Sequence, residues 1–127
     1  MRHKINLEVV EDGFKAFFKK THERARALDR GEKIPNETTV YFESAADMFR
    51  MLTTERVRLM RELRETGPVS ITILADTLGR NKRAVSRDVS SMREAGVLKT
   101  EYASNAGHGR RLIVKPVAKR VELKTYL

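Results

Sequence analysis

The sequence predicts an α+β fold: a three-helix core leading into a β-hairpin, with a small terminal β-sheet and an N-terminal amphipathic helix. Three patterns point to it. Apolar residues recur at helical spacing from Thr54 to Ala95. Two β-like runs, "VLKTEYA" and "RRLIVK", flank the turn-rich "SNAGHG". Alternating apolar and polar residues mark short strands near 4–10, 38–43 and 119–126. At 127 residues the chain has about the length of one domain, and its 40% hydrophobic content suits a folded core.

The first strand, "INLEVV", sets Ile5, Leu7 and Val9 on one side. Asp12-Gly13 signals a turn. From Phe14 to Arg30 the residues Phe14, Phe17, Phe18, Ala25 and Leu28 fall on one stripe of a helix ended by Gly31. A phenylalanine stripe at this spacing is expected to be core, covering the terminal sheet. "EKIPNE" reads as a loop and "TTVYFES" as a second strand. Ser44 with Asp47 resembles a capping box for a short helix carrying Met48, Phe49 and Leu52. Thr53 is placed to cap the next helix. There Val57, Met60 and Leu63 are expected inward, with Leu59 a further candidate, and "TGP" stops the helix. Ser70 can cap "ITILADTL", whose Ile71, Leu74, Ala75 and Leu78 are expected inside, and Gly79 supplies the positive φ of a sharp stop.

The stretch "GRNKRAVSRDVSSMREAGVL" carries the functional signal. Val85, Val89 and Met92 make its inward stripe, Asn81 is a good N-cap, and Gly96 ends it. Lys82, Arg83, Ser86, Arg87 and Ser90 must then share the opposite face. A helix N-terminus already carries partial positive charge and free N–H groups, so cations there disfavour the isolated helix. A polyanion removes that conflict. The charge distribution agrees: of the net +9, residues 1–78 supply +1 and residues 79–127 supply +8. A major groove about 12 Å wide admits one such helix. The hairpin tip brings His108, Arg110 and Arg111 as a second contact. Bland surface charge is the alternative for any one of these residues and the weaker account of all of them together.

Residues 54–115 resemble the winged helix-turn-helix of MarR-like and related bacterial and archaeal transcription regulators. The resemblance rests on "SITILADTLGRNKRAVSRDVSSMREAGVL", with Ala75 small in the second helix, Gly79 in the turn, Val85 and Val89 inward, and "EAGVL" leading to the wing. It implies a recognition helix in the major groove and a wing on the backbone or minor groove of double-stranded DNA. The expected DNA-binding residues are Asn81, Lys82, Arg83, Ser86, Arg87, Ser90, His108, Arg110 and Arg111. The whole chain is also similar to small predicted DNA-binding regulators, some encoded beside toxin-like partners. The expected division is a dimerisation or partner-binding region at 1–45 and the DNA-binding domain at 46–127. A homodimer is expected, matching a palindromic operator.

The competing function is an antitoxin or adaptor that binds a toxin-like partner protein through its N-terminal region and autoregulates its operon. RNA binding ranks lower, because RNA recognition usually stacks bases on exposed aromatics and the basic half offers only Tyr102 and Tyr126. No enzyme activity, catalytic residue, metal or cofactor is expected: there is no cysteine, no phosphate-binding glycine loop and no paired-histidine signature. The chain lacks a signal-peptide core or membrane-length apolar run, so a cytoplasmic protein is expected.

Overall fold

The structure, a computed structural model, describes residues 3–10, 12–34, 36–104, 107 and 109–125, with only the backbone at 13 and 14. The elements run β1 (Lys4–Val9), α1 (Gly13–Asp29), β2 (Glu37–Phe42), α2 (Ala45–Met51), α3 (Thr54–Thr66), β3 (Val69–Ser70), α4 (Ile71–Leu78), α5 (Lys82–Glu94), β4 (Leu98–Ser104), β5 (Arg110–Pro116) and β6 (Arg120–Lys124). They divide into two units, residues 1–50 with 120–127 and residues 51–119. The last strand therefore joins the first unit. Among the described residues no helix is long and apolar enough to cross a membrane.

The first unit holds a sheet in the order β2-β1-β6, parallel throughout. The helix α1 returns the chain from the end of β1 to the start of β2, the crossover that parallel pairing needs. Asp12 caps it, its carboxylate accepting from the Lys15 N–H at 3.0 Å. Ile5, Leu7 and Val9 are buried on one face of β1. Register and alternation put Val40, Phe42, Val121 and Leu123 on that same face. In α2, Ser44 accepts from the Asp47 N–H at 3.1 Å, as a cap should. Met48 of that helix is buried, whereas Phe49 is exposed.

The opposite face of the sheet is polar, with Lys4, Asn6 and Glu8 of β1 beside Glu37, Thr39 and Tyr41 of β2. Against it lies α1. Lys20 donates to Thr39 Oγ1 at 2.7 Å and sits 3.5 Å from the Glu37 carboxylate. Arg24 donates to the Glu37 carbonyl at 3.3 Å, and Lys4 reaches Glu37 at 3.4 Å and Glu122 at 3.1 Å. Burial pushes the Glu37 carboxyl up, but a hydrogen bond from Asn6 and the Lys20 and Lys4 ammoniums more than offset it, holding the group below the usual carboxylate range.

This packing corrects the expectation for α1. Its apolar stripe does not cover the sheet: Phe17 is 52% and Leu28 60% exposed, and Ala25 is exposed too. The side chain of Phe14 lies outside the described residues. The reason is electrostatic. Ala16, Lys20, Arg24 and Ala27 form the half-buried side, and its cations match the Glu37 carboxylate, which a phenylalanine face would leave with Lys4 alone.

The second unit is a winged helix-turn-helix. In α3 the buried residues are Leu59 and Leu63, while Val57 is exposed, contrary to its expected inward position. Arg56 takes that flank, drawn in by Asp88 of α5. In α4, Ile71, Leu74, Ala75 and Leu78 are buried as expected, capped by Ser70, whose hydroxyl accepts from the Ile73 N–H at 3.3 Å. Gly79 stops α4 at φ 64°, ψ 33°, a left-handed conformation that costs other residues about 1–2 kcal/mol. The second sheet is antiparallel in the order β3-β5-β4. Its core strand residue Val114 joins Val85, Val89, Met92, Val97 and Leu98 among the buried side chains.

Candidate nucleic-acid interface

The buried stripe of Val85, Val89 and Met92 fixes which way α5 faces. Lys82, Arg83, Arg87 and Ser90 are exposed, and Ser86 is half-buried at the edge of their arc. Asn81 caps the helix, its Oδ1 accepting from the Arg83 N–H at 2.8 Å. The first turn contains no acid. Among the described residues Lys82, Arg83 and Arg87 have no carboxylate at ion-pair distance. Three unneutralised cations thus stand at a helix end that is itself positive.

The acid of this helix is engaged elsewhere. Asp88 accepts from Arg56 Nε of α3 at 3.0 Å and from Arg80 Nη1 of the turn at 2.7 Å. Arg80 also reaches Glu55 at 3.3 Å, and Arg56 donates to the Met51 carbonyl at 3.1 Å. Burial pushes the Asp88 carboxyl up, but the hydrogen bonds from Arg80 and Arg56 outweigh it and hold the group below the usual range. Asp88 therefore ties α5 to α3 and to the turn, and it leaves the outward arginines unquenched. Its two partners lie 8 and 32 positions away in sequence. No periodicity marks such a pair.

In the wing, strand register places Ser104 opposite Arg110 and Ala103 opposite Arg111. Both arginines are exposed and, being adjacent on a strand, point to opposite faces of the hairpin. The Arg110 guanidinium lies 4.9 Å from the centre of the Tyr102 ring, a cation–π contact that steadies it. Tyr102, noted in the sequence only as an aromatic able to stack on bases, is absent from the expected DNA-binding residues; its place on the same hairpin face as Arg110 is the signal that could have found it. His108 and Tyr126 lie outside the described residues. No group of three His, Cys, Asp or Glu side chains able to hold a metal occurs among the described residues.

Several solved structures resemble the chain at low identity. A "possible transcriptional regulator" from Methanosarcina mazei Go1 is 21% identical over 54% of this chain, with a TM-score of 0.49. A MarR protein from Peptoclostridium difficile is 10% identical over 85% of this chain, with a TM-score of 0.48. A cysteine-to-serine mutant of Lactococcus lactis ZitR, solved in complex with DNA, is 14% identical over 87% of this chain, with a TM-score of 0.47. The matches span 58%, 62% and 69% of those chains. No curated protein matches the sequence. Residues 51–121, which contain α3 to β5 and the basic face of α5, match the family described as HVO_A0114, and the chain belongs to that family.

Proposed function

We propose that this protein is a sequence-specific, double-stranded DNA-binding transcriptional regulator. It lays α5 in the major groove and the wing on the backbone or minor groove. The observation that carries this reading is the N-terminal face of α5: Lys82, Arg83 and Arg87, exposed and unpaired among the described residues, on a helix end that is already positive. Such a face is destabilising by itself and favourable only against an anion. Lys82, Arg83, Ser86 and Arg87 read base edges in this arrangement, with Asn81 at the groove entrance. Ser90, His108, Arg110 and Arg111 hold phosphates. The protein works as a two-fold dimer on a palindromic site.

A binding-site selection with purified protein tests this. Wild-type protein should enrich one motif. Arg87→Ala should lose about 1–3 kcal/mol of discrimination and relax one position of that motif. An unchanged motif would remove Arg87 from base readout, and no motif at all would remove the function. The antitoxin or adaptor reading finds support in the exposed apolar face of α1, which a toxin-like protein could cover. A native pull-down that returns only this chain counts against it.

A further inference from the structure

The outward face of α1 raises a question that the DNA-binding surface does not answer: what covers Phe17 and Leu28? Both are more than half exposed, and with Ala25 they share one side of the helix. Large contiguous apolar patches on a soluble surface mark places of association. The side chains beside the patch identify the occupant. Lys15, His22 and Asp29 recur every seven residues along one flank, and all three are exposed. Among the described residues neither the Lys15 ammonium nor the Asp29 carboxylate has an ion-pair partner. Each also sits at the wrong end of its helix. Lys15 lies in the first turn, which contains no acid, and Asp29 is the last helical residue. Both therefore oppose the helix dipole.

A second copy of α1, laid antiparallel across a two-fold axis, reverses every one of these disadvantages. Positions 15 and 29 of the two helices then meet, His22 lies beside its own counterpart, and the two apolar patches cover each other. Helix dipoles also align favourably in that orientation. We propose that α1 is the self-association surface of this protein, pairing antiparallel with α1 of a second copy. The proposal rests on the two-fold reading above, and it names the face that achieves it.

Sedimentation velocity without DNA tests it. Wild-type protein should dimerise at micromolar concentration, and Phe17→Ala with Leu28→Ala should weaken dimerisation at least tenfold. Lys15→Asp should weaken it alone, and Lys15→Asp combined with Asp29→Lys should restore it. The chain has no cysteine, so His22→Cys should form a disulfide dimer under mild oxidation, whereas Glu23→Cys, at an exposed position that points away from the apolar stripe, should not. A chain that stays monomeric at every concentration overturns the proposal, including the case in which a different protein covers this face. A dimer that ignores both the apolar and the charge variants, or that cross-links equally through Glu23→Cys, overturns it too. Should the double alanine variant lose its fold, the charge exchange decides by itself. The apolar double variant should still bind an isolated half-site through α5, so failure of self-association and failure of DNA recognition are separately visible.

Discussion

Asn81 has one side-chain oxygen, and the backbone claims it. The cap to the Arg83 N–H leaves only the amide nitrogen free for DNA. Two substitutions separate the roles. Asn81→Ala should cost about 1 kcal/mol in urea denaturation, the usual worth of an N-cap. Asn81→Asp should preserve that stability, since aspartate caps as well as asparagine, yet weaken DNA binding by putting an anion in the basic face. Equal DNA affinity in wild type and Asn81→Asp would place residue 81 outside the interface. Phosphate contacts behave differently from base contacts. Arg110→Ala or Arg111→Ala should weaken all sequences alike and reduce the salt slope by about one each. At this scale the outward residues of α5 were legible, because an inward stripe at spacings of three and four determines what faces away. Tyr102 was not, because strand register decides its contact with Arg110.

Between elements, the chief device is the chain of Glu55, Arg80, Asp88 and Arg56, which joins α3, the turn and α5. Asp88→Asn should lower stability by about 1–3 kcal/mol, since the two arginines keep their charge, lose the carboxylate that balances it, and are left one acceptor oxygen where they had two. It should also disturb DNA binding, because the pitch of α5 depends on this tether. Folding lowers the Asp88 pKa, so the unfolded chain binds that proton more tightly. The contribution is complete above about pH 4, the unfolded value, and is lost as pH falls through the folded one. Acid titration of the unfolding free energy should therefore flatten below pH 4 in Asp88→Asn relative to wild type. The helices α4 and α5 were legible because their caps and stripes are local. For α1, amphipathicity revealed an apolar side but not its partner. The two cations of α1 beside Glu37, Lys20 and Arg24, decided which side met the sheet, and their target strand lies beyond the loop.

For the whole molecule, the concentration of charge in residues 79–127 translates into a salt dependence. With Arg110 and Arg111 on phosphates, log K against log salt should slope about −2 per protomer, and each further phosphate contact made by a cation of α5 should add about −0.9. Fluorescence anisotropy over a salt series measures it; a slope near zero would contradict a polyanion-binding role. Alternation showed that the chain ends form strands, but it reads the same for either strand direction. The parallel order β2-β1-β6 came only with the structure. That order has a consequence for biosynthesis. The middle strand of the sheet pairs Lys4 with Arg120, so it lacks one neighbour until the chain through β6 has left the ribosome. Residues 51–119, by contrast, are contiguous and emerge as a block. Nascent protein should therefore acquire its helical unit first and hold β1 open-edged until β6 arrives. Pulse-labelled hydrogen exchange during refolding should likewise protect α5 amides before those of β1, as expected when contacts distant in sequence form late.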